Sequence, residues 1–411
     1  MSSSFGPITP RSCPNVRKVC TEAHLCYTGH KVSAVASKKL YFPALDGVRG
    51  VALACVLAHN LGYFEGATAL GTVSDRLVGA GWVGVQLFFV LSGFLITGIL
   101  IDSKGARNFL GSFFMRRILR IFPLYYLALF GYFVLIPYVR QVPQVSDSGT
   151  QLWYWLYLSN WSSLVGRGVA PLGHLWSLAV EEQFYLLWPF AVLALRARGF
   201  VRLCVALIVA AFAARVCVRM AGLPPAWAYQ ATVSRIDALA LGALGAVVVR
   251  RRWLTPASVR RLAFFAFAVL GVVFIATGGL PRTSLAVQTI GYSVVALASL
   301  ALVLLGSSEL DRPWTRKVKL VLEWYPLQQL GKYSYAIYVA HQLINAPLHW
   351  RVEHLLEGAS GGVRFAVAFA YMVIVSVVSY GVAFVSWHLF ERHFLSLKRF
   401  FVPRVDELAT R

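Results

Sequence analysis

The sequence is poor in charge. Only 14% of its 411 residues are Asp, Glu, Lys or Arg, and the shortage is one-sided, with 17 acidic residues against 39 Lys and Arg. A soluble domain usually carries about 25% charged residues, so this chain lacks the polar coat that keeps such a domain in water. Cysteine offers no scaffold either. The six cysteines lie at positions 13, 20, 26, 55, 204 and 217, three in the N-terminal tail and three in apolar stretches, which argues against a disulfide framework. Cys20, His24, Cys26 and His30 follow no zinc-ligand spacing, so no metal site is expected there. No apolar run of signal-peptide length precedes the first long apolar segment, and no cleavable signal is expected. Residues 1–40, rich in Ser, Pro and Lys/Arg, read as a disordered tail.

Apolar residues are what the chain has in surplus, at 58%. Segments near the roughly 20 residues needed to cross a bilayer recur over 46–63, 82–101, 120–139, 175–195, 203–219, 232–249, 262–278, 286–306, 330–349 and 364–388. The expected fold is an all-α, polytopic transmembrane bundle of about ten spans. Its domains would be the tail 1–40, a membrane domain 41–395 and a short basic tail 396–411. A formal charge of +22 is also a footprint of nucleic-acid binding, but the distribution of the charge favours topology instead. One set of alternate connections and tails holds 29 of the 39 basic residues and the other set only 7. The positive-inside rule then places both termini in the cytoplasm, in an inner (cytoplasmic) membrane, with an even number of spans. Leu152–Trp161 is aromatic but too short to span and reads as an interfacial segment.

Ionisable groups inside a bilayer are costly and mark function, so they are the most informative residues here. The first span carries Asp46, Arg49 and His59, the fourth His174, Glu181, Glu182 and Gln183, the sixth Arg235 and Asp237, and the ninth His341. Counting along the spans brings His59, Glu181, Arg235 and His341 to a similar depth, which predicts a polar chamber toward the outer leaflet. At the other face, Arg116, Arg117 and Arg120 open the third span. Arg117 and Arg120 share a helix face and, with Arg49, suit an anion such as a nucleotide phosphate; the same residues also serve as a topology signal.

The blocks LDGVRGVALACVLAH (45–59), GVQLFFVLSGFLIT (84–97), FFMRRILRIFPLYYLAL (113–129), HLWSLAVEEQFYLLWP (174–189), SRIDALALGALGA (234–246), GKYSYAIYVAH (331–341) and ERHF (391–394) resemble, in order, the acyltransferase-3 family of membrane enzymes. The resemblance implies acyl-CoA as donor, acetyl-CoA foremost, with no metal, and a carbohydrate or other hydroxylated acceptor. It also implies that Arg49 and His59 and the paired Arg117 and Arg120 serve acyl-CoA use, and the family's glutamate in the fourth span corresponds to Glu181. Two departures stand out. Nine residues rather than ten separate Arg49 from His59, and Gln86 occupies a place where the family often has an acid. Many members continue into a large extracytoplasmic esterase-like domain, whereas only a short tail follows residue 391 here, so acceptor specificity is expected to reside in the membrane domain.

Acyl transfer needs a base for the acceptor hydroxyl, an oxyanion stabiliser and fixed placement of both substrates. The catalytic candidates are His59 as base, Glu181 to orient it or bind the sugar, with Glu182 beside it, and Arg235 for the oxyanion. Arg49, Arg116, Arg117 and Arg120 are the donor-binding candidates, and His174, Asp237 and His341 the acceptor contacts. Direct transfer and a covalent acyl-histidine both fit this inventory. The competing reading is a transporter of a sugar or lipid-linked substrate, since polar groups within spans also mark transport paths. No inverted repeat favours it. The expected partners are the lipid bilayer, acyl-CoA and a glycan or glycosylated acceptor, not nucleic acid, with the oligomeric state open.

Overall fold

A computed structural model describes residues 42–62, 69–141, 147–308, 312–357 and 359–404. The N-terminal tail, with its Cys20, His24, Cys26 and His30, and the last seven residues lie outside the described residues. Every regular element among those described is helical. The ten long helices are α1 (Ala44–Leu61), α2 (Val83–Ser103), α3 (Phe109–Phe130), α4 (Trp176–Ala194), α5 (Ala197–Met220), α6 (Thr232–Arg251), α7 (Pro256–Thr277), α8 (Tyr292–Ser307), α9 (Tyr325–Leu355) and α10 (Gly361–Ser386). Each falls on one of the apolar segments read from the sequence.

Among the described residues, eight stretches are long and apolar enough to cross a membrane, and the chain is a multi-pass membrane protein. The two long helices outside that class are α4 and α9. Burial sorts the rest. The apolar windows of α2 and α8 are 72% and 67% buried, against 17% for α5 and α7, so the former are central and the latter lie at the periphery. Peripheral faces carry exposed Phe264, Ile275 and Val209, as lipid contact requires.

Without a hydrophobic drive between helices in lipid, close packing relies on small residues. Gly93 of α2 lies against the Leu239 carbonyl of α6, and Gly242 of α6 against the Val90 carbonyl of α2, leaving no room for a Cβ at either place. Gly47 and Gly50 of α1 likewise face the backbone of Leu322 and Leu327, and Gly331 of α9 faces Asp46. These contacts fix α1, α2, α6 and α9 as the frame of the site. A buried ion pair adds to it: Arg215 Nη1 of α5 donates to Asp237 Oδ2 of α6 at 2.8 Å.

One helix limit alters the sequence reading. α3 begins at Phe109 rather than near residue 120, because the apolar Phe-Leu and Phe-Phe steps before the arginines already belong to the helix. Arg116, Arg117 and Arg120 therefore sit two to three turns inside it, not at its mouth. Leu152–Trp161 forms parts of two short helices, Ser148–Trp155 and Ser159–Leu164, and does not span. It is fastened from both sides. Tyr125 of α3 donates to the Tyr154 carbonyl at 2.8 Å, and Gln183 of α4 donates to the Tyr157 carbonyl and to Asn160, each at 3.0 Å.

Candidate active site

Helical spacing places the site on stripes. On α4, Ser177, Glu181 and Tyr185 follow one another at four-residue steps, with His174 three residues earlier in the 3₁₀ turn Ala170–Leu175. On α9 the matching stripe is Ser334, Tyr338 and Gln342, and on α2 it runs from Val85 through Phe88 and Ser92 to Ser103. Together with α1 these stripes enclose two cavities, of about 440 Å³ and 230 Å³.

The larger cavity is lined by Arg49 of α1, Arg116, Arg117 and Arg120 of α3, and Lys398 of the C-terminal turn Leu397–Phe401. Glu181 is the one carboxylate in its lining. Arg49 is partly engaged by Asp46, at 2.5 Å. Arg120 feels the like charges of Arg49 and Arg117. The cations of the lining outnumber the carboxylates beside them, Asp46 and Glu181, so the cavity has the charge to take an anion. Glu181 accepts from Ser92 Oγ at 2.8 Å and from Tyr185 Oη at 3.2 Å, and the guanidinium of Arg117 stands 5.9 Å over the Tyr185 ring. Glu181 thus braces the arginine wall.

The smaller cavity is lined by His59 and Asn60 of α1, His174, Tyr229, Arg282 and the indoles of Trp82 and Trp176, with no carboxylate. His59 Nδ1 lies 3.2 Å from the Val78 carbonyl. That contact assigns the proton to Nδ1 and leaves Nε2 as an unprotonated acceptor. Gly81 packs against the His59 backbone, where a Cβ would meet the Cys55 carbonyl and His59. The ring is held from two sides.

The cavities lie end to end. Val85 and Tyr338 line both. The Tyr338 hydroxyl donates to the His174 carbonyl at 2.8 Å and lies 2.6 Å from Ser177 Oγ, joining α9 to α4 at the junction.

The structure regroups the residues singled out in the sequence. Arg49, Arg116, Arg117 and Arg120 come together as expected, but Glu181 joins them and does not share the His59 chamber. The reason is depth: Glu181 lies seven residues beyond His174, about 10 Å along the helix. Glu182 lines neither cavity and stands among Arg117 and the hydroxyls of Tyr125, Tyr157 and Tyr335. Arg235 is fully buried behind the aromatic wall, its guanidinium 4.6 Å from the Tyr292 ring centroid and 5.1 Å from that of Tyr229. Asp237 is engaged by Arg215 and by Ser293 Oγ at 3.2 Å. Neither Arg235 nor Asp237 reaches a cavity.

Of the two histidines expected to meet the acceptor, His174 lines the smaller cavity and His341 does not. His341 Nδ1 donates to the Tyr338 carbonyl at 2.7 Å, so Nε2 accepts from Asn60 Nδ2 at 3.2 Å, and both ring nitrogens are in use. The short Arg49–His59 spacing explains Asn60. Eleven residues past Arg49, Asn60 returns to nearly the same helix face, while His59 is turned by about 80° and finds Val78 instead. Sequence reading missed Ser177, Tyr338, Arg282 and Lys398. For the first two a signal was present, the four-residue step from Glu181 and the three-residue step from His341.

A membrane bundle with two chambers in line, one cationic and one bearing an oriented histidine, defines the class of protein this is: a multi-pass membrane protein with a buried polar path. Residues 42–386 match the acyltransferase domain family, and the chain belongs to the acyltransferase-3 family. It is 28% identical over 345 residues to "Putative peptidoglycan O-acetyltransferase YrhL" of Bacillus subtilis (strain 168), covering 76% of this chain and 51% of that protein. It is 37% identical over 161 residues to the peptidoglycan O-acetyltransferase OatA of Listeria monocytogenes, covering 36% of this chain and 24% of the relative. With the O-acetyltransferase OatA of Staphylococcus aureus (strain NCTC 8325 / PS 47) the identity is 25% over 323 residues, covering 73% of this chain and 50% of the other. The chain thus spans about half the length of YrhL and of the Staphylococcus relative. No solved structure matches it.

Proposed function

We propose that this chain is a membrane-bound O-acyltransferase that takes an acetyl or other short acyl group from cytoplasmic acyl-CoA and places it on a hydroxyl of a glycan or glycosylated small molecule. The observation that carries this reading is the end-to-end placement of a cation-lined cavity and a histidine-lined one. The phosphates of CoA fit the larger cavity, where five cations face one carboxylate. The pantetheine arm then runs toward the junction at Tyr338. Arg49 and His59 are ten residues apart on α1, about 15 Å, a span that a flexible arm covers.

At the junction His59 Nε2 takes the proton of the acceptor hydroxyl as its oxygen attacks the thioester carbon. The C–S bond breaks, the C–O ester bond forms, and the proton passes to the departing sulfur. The Val78 carbonyl holds the His59 ring in the required tautomer. Trp82, Trp176 and Tyr229 line the acceptor cavity together with Arg282, whose guanidinium stands 4.8 Å over the Tyr229 ring. A cell-wall glycan is the first acceptor class to examine, because the relatives' names carry it. The 29-to-7 split of basic residues supports the sidedness, with both termini and the arginine cavity cytoplasmic.

The test is incubation of purified protein with acetyl-CoA labelled in the acetyl group and with soluble peptidoglycan fragments or simple glycosides. The expected result is label in an alkali-labile ester on the acceptor, with one CoA thiol released per ester formed. Unconsumed acetyl-CoA in all mixtures, together with uptake of glycoside into vesicles, would instead establish a transporter.

A further inference from the structure

Two cavities lined at opposite ends of the same helices, one by arginines and one by histidines, pose a chemical problem. Water that reaches the thioester beside a general base competes with the acceptor hydroxyl, and the acyl group is then lost to hydrolysis. Something must divide the cavities while letting the acyl carbon reach the acceptor side.

The candidates for that divider are few, since only Val85 and Tyr338 line both cavities. Val85 is 7% exposed and Tyr338 6%, so both are packed, not loose, at the junction. Tyr338 is held by its hydroxyl. Its single proton goes to the His174 carbonyl at 2.8 Å, so the 2.6 Å contact with Ser177 has Ser177 Oγ donating to Tyr338. Ser177 lines the larger cavity and His174 the smaller, so this short chain of hydroxyls crosses the boundary itself. The ring is gripped as well: Phe88 of α2 meets it edge-on at 6.4 Å and His174 at 5.3 Å between centroids. Its own backbone carbonyl accepts from His341, which in turn binds Asn60 of α1. Three elements thus converge on one side chain: α2, α4 and the turn before α4.

We propose that Tyr338, latched by Ser177 and flanked by Val85, is the partition that holds acceptor-side water off the thioester and so sets transfer above hydrolysis. Resting on the acyltransferase reading, this makes Tyr338 a positioning residue that determines the fate of the acyl group. In the unwanted reaction, water adds its oxygen to the acyl carbon, the C–S bond breaks, and the products are the free acid and the CoA thiol. The ratio of thiol released to ester formed reports the partition directly.

The experiment uses the full chain in detergent or vesicles with labelled acetyl-CoA and soluble peptidoglycan fragments, measuring thiol and acetyl ester in parallel for wild type, Tyr338→Phe, Tyr338→Ala and Val85→Ala. Wild type is expected to release about one thiol per ester. Tyr338→Ala should raise the ratio about tenfold or more, read at saturating acetyl-CoA so that any change in donor affinity at the cavity end that Tyr338 lines does not enter it. Tyr338→Phe, which keeps the ring, should fall between the two. Val85→Ala opens the same boundary from α2 and should move the ratio in the same direction, which preserves the test if Tyr338→Ala does not fold. A ratio near one in both folded alanine variants would overturn the partition. Absence of ester from the wild type would overturn the acyltransferase reading itself, a separate outcome.

Discussion

His59→Ala lowers acyl transfer by about 10²- to 10⁴-fold, the range a positioned general base supplies, and leaves acyl-CoA binding intact. The two halves of that expectation come from different parts of the molecule. Loss of turnover follows from the ring held by the Val78 carbonyl, which leaves Nε2 free to accept a proton beside the acceptor cavity. Retention of donor binding follows from distance, because the arginines lie in the other cavity and Arg49 is about 15 Å away along α1. His174 shares the acceptor cavity and is the nearest competitor for the role. His341 is not a competitor, since both of its ring nitrogens are engaged. Turnover should therefore be measured at saturating donor and acceptor in His59→Ala and His174→Ala side by side. Near-normal turnover in the first, with loss in the second, would move the base to His174.

Replacing Arg117 and Arg120 together by alanine should weaken acyl-CoA binding by about a hundredfold or more. Each substitution removes a charge-assisted hydrogen bond to phosphate, worth about 1.5–3 kcal/mol, and tenfold in affinity is about 1.4 kcal/mol. The stability of the ligand-free protein should not fall in step. Arg120 is repelled by Arg49 and Arg117, so removing charge relieves a repulsion that a bound anion would offset alongside Asp46 and Glu181. Lys104 is the control. It donates to the Val192 and Leu195 carbonyls, away from the cavity lining, and Lys104→Ala should leave the affinity near the wild-type value. Calorimetric titration of acyl-CoA into the three proteins checks this. Equal affinities in all three would return the arginines to the role of a topology signal.

Much of the fold was legible because membrane insertion leaves a coarse and strong trace. Length and apolarity place each span without reference to its neighbours, and all ten long helices fall on predicted segments. The Arg117–Arg120 face was legible for a similar reason, since a three-residue step is a local property of one helix. Lateral relations were not. Depth counting put Glu181 level with His59, but the 3₁₀ turn before α4 sets His174 at the acceptor cavity and carries Glu181 down to the arginines. Arg235 and Asp237 carry charge within a span, which signals function in general. Here they are consumed by an aromatic surround and by Arg215, partners on other helices that no spacing reveals. Lys398 was hidden in what read as a tail. The turn Leu397–Phe401 and the strand of chain after it are in fact tied to Asn108, which donates to the Val402 carbonyl at 2.9 Å and accepts from Arg404 N at 2.8 Å.

In the proposed reaction, donor and acceptor enter from opposite faces and meet at the Tyr338 junction. Reconstitution into sealed vesicles tests it, with the protein oriented so that its C-terminus and the arginine cavity face the lumen, labelled acetyl-CoA trapped inside and an impermeant glycan acceptor outside. Acetyl ester is expected on the external acceptor, with the CoA thiol retained in the lumen. Ester formed only when acetyl-CoA and acceptor share one compartment would contradict it.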